Sequence, residues 1–298
     1  MTTASSENEG APPAPTITKL DSVSFDALLG TNNPFTQGDL SFDLRGVRLI
    51  TASALTQLAA AILALNQRGQ SPTVLIDDLS VRSYLVRAGF LEVVGQVTNI
   101  EPPLATSWFY EARHGMNPML IELSKVETGN ELSNLLDRIV ETLRSRLKYR
   151  KYDAFDVATA VSETAQNSFD HNRGMYGLIA MQVYGKGARR FLEIGVADCG
   201  DGMLATLKRN PKYSLLISDL DAIREACKLG VSEHEDQTRG TGLYHLLEIA
   251  FEHGGSVQIR SGGGKARYRM DKRMGWVFGV PSVPGVQVAL TLPSKGRG

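Results

Sequence analysis

Arg190-Phe-Leu-Glu-Ile-Gly-Val-Ala-Asp-Cys-Gly-Asp-Gly-Met203 reads as a strand, Arg190 to Ala197, that stops at an aspartate followed by two alternating glycines. Glycines allow a tight turn with exposed backbone amides and let the chain approach a flat ligand closely. Asp198 is an acceptor-only side chain, suited to an adenine amino hydrogen. Alone, the segment reads as a plain Asp-Gly turn before it reads as a site.

Its neighbours extend the reading. Upstream, Phe155 to Asp170 reads as a helix whose buried side is Val157, Ala160, Val161, Thr164 and Ala165. Glu163 and Asn167 are one helical turn apart and share a face. Polar groups turned inward are costly without partners. A carboxylate and an amide together suit a hard cation such as magnesium. The carboxylate alternatively holds a water for attack on a phosphate. An ordinary exposed pair is the competing account. Leu178 to Val183 is a strand.

Downstream, Arg239-Gly-Thr-Gly-Leu-Tyr244 opens a helix, Leu243 to Phe251. Gly240, Thr241, Gly242 and Leu243 would present free amides at a helix start, a ready anion site for phosphates. Between the two glycine motifs, Leu207 to Thr238 is long, and polar Ser232 to Arg239 suits a loop over a nucleotide. Ser256 to Arg260 and Gln287 to Leu292 alternate as strands, with Gly262-Gly-Gly264 read as a flexible turn. Thr291 on the closing strand completes the candidate set. Arg260, Lys265, Arg267, Arg269, Lys272 and Arg273 read as the solvent side of a hairpin rather than a ligand surface. Each motif alone is weak, and their joint order carries the claim. No Gly-x-Gly-x-x-Gly follows a first strand and no P-loop motif occurs.

The chain has 298 residues, a length for two domains. Its 42% hydrophobic content suffices for real cores. Thirty-two basic and thirty-two acidic residues cancel, so nucleic acid is not indicated as a partner. No signal peptide or run long enough to span a bilayer is seen, so no membrane is expected. Cys199 and Cys227 give neither metal spacing nor a disulfide framework, which fits a cytoplasmic location.

Three segments are expected: a disordered tail over 1–16, a small α/β domain over 17–125 and a nucleotide-binding domain over 126–298. In the second, Val47 to Ile50 and Thr73 to Ile76 read as strands. Ser53 to Gln67 reads as an amphipathic helix with Ser53 as its cap, and Val81 to Gly89 as a further helix. Trp108 to Leu123 reads as connecting strand material. Asn130 to Leu147 reads as a long amphipathic helix with a basic end.

Phe42-Asp-Leu-Arg-Gly-Val-Arg-Leu-Ile-Thr-Ala-Ser-Ala-Leu55 and Val81-Arg-Ser-Tyr-Leu-Val-Arg-Ala-Gly-Phe90 resemble STAS-type domains of anti-sigma-factor antagonists. That resemblance implies Ser53 as the nearest match to a phosphorylated serine.

Leu132 to Pro293 resembles the GHKL, or Bergerat-fold, ATPase superfamily. Its nearest branches are the anti-sigma-factor serine kinases and the histidine-kinase-like ATPase domains. The resemblance implies an α/β sandwich: a mixed, largely antiparallel sheet covered on one face by helices. It implies ATP and Mg2+ as cofactors. Glu163 would activate water, Asn167 bind magnesium and Asp198 contact adenine. Gly200 and Gly202 would shape that wall, while Gly240 and Gly242 belong to the lid. His171 follows Asn167 as in the kinase branch. Two departures are seen: Cys199 stands where asparagine is common, and Glu233, Glu235 and Asp236 place negative charge in the lid, where it repels triphosphate unless bridged.

These readings suggest a slow regulatory ATPase or nucleotide switch. The alternatives are a serine protein kinase and a non-catalytic scaffold. A protein partner or self-association is expected. The first domain would be a binding module responsive to nucleotide, or would merely cover an apolar face of the second.

Overall fold

The structure is a computed structural model, and it describes residues 17–36, 39–103, 120–170, 176–228, 230–231, 242–269 and 274–296. It is a mixed α/β protein. No helix among the described residues is long and apolar enough to cross a membrane.

The N-terminal part comprises β1 (Lys19–Leu20), α1 (Ser24–Thr31), β2 (Ser41–Asp43), β3 (Leu49–Ile50), α2 (Ala52–Asn66), β4 (Thr73–Leu75), α3 (Leu79–Arg87), α4 (Phe90–Val94) and β5 (Asn99–Glu101). β2, β4 and β5 form a three-stranded parallel sheet in that order, and β1 pairs with β3 in parallel.

The C-terminal part runs β6 (Leu120–Val126), α5 (Gly129–Leu147), α6 (Lys151–Asp170), β7 (Gly177–Tyr184), β8 (Phe191–Ala197), α7 (Gly202–Leu207), α8 (Asp219–Ala226), α9 (Gly242–Glu252), β9 (Ser256–Arg269) and β10 (Met274–Pro293). Its strands lie in the order β6-β7-β8-β10-β9. Every pairing in this sheet is antiparallel. The first long helix starts at a capping box: Thr128 Oγ1 accepts from the Glu131 amide at 3.3 Å, and the Glu131 carboxylate accepts from the Thr128 amide at 3.1 Å.

Alternation on the strands sorts side chains between two faces. Ile194, Val196, Leu290 and Leu292 join α5, α6 and α9 in one core. Leu178, Ala180 and Ala197 join Phe25, Leu55, Leu58 and Phe90 in the other. The sheet is therefore covered on both faces, on one by its own helices and on the other by the N-terminal part. All of α2 except Asn66 is buried, so it is enclosed on every side rather than amphipathic with an exposed face. It lies flush on β8 because Gly195 has no side chain; a Cβ there would stand 2.8 Å from the Ser53 Cα.

The start of α2 is held from across this interface. The Tyr184 hydroxyl accepts from the Ala52 amide at 2.9 Å, and the Glu193 carboxylate accepts from the Ser53 amide at 2.9 Å. A carboxylate at a helix start meets both free amides and the positive end of the dipole. The cap itself is Thr51, whose hydroxyl accepts from the Ala54 amide. Ser53 is buried inside the first turn, so the expectation that Ser53 caps the helix is corrected by two positions.

A second tie joins α1 to β9. Arg260 Nη1 pairs with Asp26 Oδ1, and Lys265 Nζ pairs with Asp26 Oδ2 at 2.5 Å. Arg260 also donates to the Pro281 carbonyl, and Lys265 to the Ser22 carbonyl. Both cations are fully buried, which overturns their reading as a solvent face. Gly262 to Gly264 is likewise no turn: it lies within β9, where the Gly263 amide donates to Asp219 Oδ2 at 2.8 Å. Asp219 begins α8, so the expected long loop after Leu207 contains a capped helix.

Candidate functional site

The amphipathic pattern of α6 drives Val157, Ala160, Val161 and Ala165 into the core and leaves Glu163 and Asn167 half-buried beside them. α9 packs along this helix and begins at the same level. A Cβ on Gly242 would stand 3.0 Å from Asn167 Nδ2 and 3.2 Å from Glu163 Cβ. Glu163, Asn167 and Gly242 are thus one surface patch. Leu243 packs into the helical core beside it. Gly240, Thr241, His171 and the polar stretch Ser232 to Arg239, with Glu233, Glu235 and Asp236, lie outside the described residues.

His245, one turn along α9 from Gly242, joins the patch. Its Nδ1 is 3.4 Å from Glu163 Oε2. Sequence reasoning missed it, because its partner is 82 residues away. The signal that could have found it is the one-turn spacing from the glycine motif.

Beneath the patch, Val161 and Thr164 from α6, Leu246 from α9, and Ile194, Val196, Val288 and Leu290 from the sheet line an apolar cavity. Its volume of about 10 Å3 is close to the least that holds one water.

Asp198 follows β8 and is buried. Its Oδ1 accepts from the Gly200 amide at 2.9 Å and the Val286 amide at 3.1 Å. The carboxylate therefore fastens its own turn to β10. Gly285, with φ at 84°, passes so close that a Cβ there would overlap the Asp198 carbonyl oxygen. Gly202 opens α7 with φ at 80°. Cys199 turns toward the N-terminal part, where Gln67 Nε2 donates to its Sγ at 2.9 Å, and burial pushes its thiol pKa up to about 11.

Thr291 is not brought to this set. It pairs with Glu193, whose side chain meets α2, so Thr291 sits on the opposite face of the sheet from Glu163 and Asn167.

Among the described residues, no group of three or more His, Cys, Asp or Glu is gathered for a metal. The available hard donors are the Glu163 carboxylate and the Asn167 amide. Such a sparse set fits magnesium, which keeps several waters and takes one or two side chains plus phosphate oxygens.

No protein-family model matches the chain, and no curated protein sequence matches it.

Proposed function

We propose that residues 126–298 bind ATP with magnesium and that the chain works as a slow ATPase or nucleotide switch of the GHKL type. One observation carries this: the start of α9 abuts Glu163 and Asn167 on α6. A helix start attracts phosphate, and the adjacent amide and carboxylate are hard donors that would suit magnesium. Asp198, held at the end of β8, would contact the adenine amino group. Glu163 would take the proton of a water attacking the terminal phosphorus, as ADP leaves with the electrons of the broken P–O bond. The family-level resemblance of residues 132–293 supports the same assignment.

Residues 17–125 are read as a STAS-like unit, which the parallel β2-β4-β5 sheet supports. A protein partner or a second copy would sense the nucleotide, in a cytoplasmic setting.

Isothermal calorimetry with MgATP tests the reading. Binding heat is expected, with Asn167→Ala weakening magnesium-dependent binding about tenfold, the loss of roughly one hydrogen-bonded ligand. Asp198→Asn should weaken adenine nucleotides selectively. Absence of both heat and thermal shift at millimolar MgATP sinks the proposal.

A further inference from the structure

We infer that His245 is a positioning residue for Glu163, a role that rests on the ATPase reading above. Two residues of α9 face Glu163. Gly242 leaves too little room for a Cβ, which would stand 3.2 Å from Glu163 Cβ, and His245 reaches Glu163 Oε2 from one turn further on. A carboxylate only accepts hydrogen bonds, so Nδ1 of His245 carries the hydrogen and donates it. At 3.4 Å the contact is looser than a fully formed bond, as such contacts are before a substrate tightens them.

The geometry gives the contact a purpose. Glu163 has three flexible side-chain torsions and is about one-third exposed, so its carboxylate gains from a fixed partner. A donor on the facing helix holds Oε2 and leaves the other oxygen to take a proton from water. A displacement of about 1 Å in such a group can cost on the order of 100-fold in rate. Because α9 follows directly on the glycine motif, any movement of its start on phosphate binding would carry His245 with it. The base would then be aligned by the same helix that receives the phosphates.

The test uses the full chain and two readouts. The first needs no nucleotide: long-range 1H–15N spectra of the imidazoles, with the His245 signals assigned by their loss in His245→Asn. The wild type should show hydrogen on Nδ1, and Glu163→Ala should shift the signals toward the Nε2–H form. Unchanged His245 signals in Glu163→Ala overturn the pairing. The second is MgATP turnover. His245→Ala should lower kcat by about 10- to 100-fold with KM for ATP changed by less than about twofold. His245→Asn, whose amide can replace the Nδ1 donor, should restore most of kcat. Equal kcat in His245→Ala and wild type, or loss confined to KM, overturns the role. A wild-type chain that does not turn over MgATP overturns the ATPase reading and this role together. That outcome is told apart from failure of the pair by the nucleotide-free spectra.

Discussion

Replacing Asp26 by alanine should strip the counter-charge from two cations at once. Asp26 divides its oxygens between Arg260 and Lys265, whose side chains are 0% and 1% exposed. Removing one partner of a buried ion pair costs about 3–5 kcal/mol, because the remaining charge stays out of water. Two cations are stranded here, but each retains a backbone carbonyl, so the single-pair figure is the appropriate scale. Arg260 cannot escape by losing its proton. Lys265 can, since burial already lowers its pKa from the ordinary 10.5. A loss of about 3–5 kcal/mol is a large share of the roughly 5–15 kcal/mol that holds a domain folded. Urea unfolding followed by circular dichroism would measure it as a fall in midpoint. Replacing all three together, Asp26→Leu with Arg260→Met and Lys265→Met, should recover most of the stability, as apolar replacements of buried ionic triads do. A change below about 1 kcal/mol in Asp26→Ala would refute the reasoning, since no stranded charge is that cheap.

Two further outcomes are expected. Gly285→Ala should destabilise by at least about 1–3 kcal/mol, from a left-handed backbone and overlap with Asp198, while Gly30→Ala, in open space on α1, should stabilise by roughly 0.5–1 kcal/mol; paired thermal melts would show opposite signs. Burial raises the phenol pKa of Tyr84 and Tyr184 above the ordinary 10.0. Their contribution is complete below 10.0 and is lost as pH climbs toward the folded values, because the unfolded chain sheds its protons first. The slope is about 1.4 kcal/mol per pH unit for each, and Tyr84→Phe should remove one share of it in denaturant series run from about pH 9 to about pH 12.

Local signals were legible and distant ones were not. The helix over Gly129–Leu147 announced itself through its apolar spacing, and α6, α9, β7 and β8 lie within a few residues of their expected bounds. Glu163, Asn167 and Gly242 do meet, since α6 and α9 pack side by side over one sheet. The failures share a cause. Arg260 and Lys265 look like surface charge until Asp26, 234 and 239 residues away, is placed against them. Alternation could place Thr291 on a strand but not decide which face of the sheet α6 covers. The stretch Leu58 to Leu65 is apolar on every side, and that composition could have identified a helix enclosed on all faces. Asp198 shows how a polar residue in a turn motif first fastens its own turn, whatever else it binds.

The ties that complete α2 and α1 set an order of events during synthesis. The Ala52 amide waits for Tyr184, 132 residues later, and the Ser53 amide for Glu193, 140 residues later. At a ribosomal rate of about 5–20 residues per second, that delay is on the order of 10 s. Through it, a helix carrying Leu55, Leu58 and Ile62 lacks the five-stranded sheet on which it packs. A nascent chain in that state is a client for chaperones, and a message truncated soon after Val126 would yield a sticky fragment rather than a free-standing N-terminal protein.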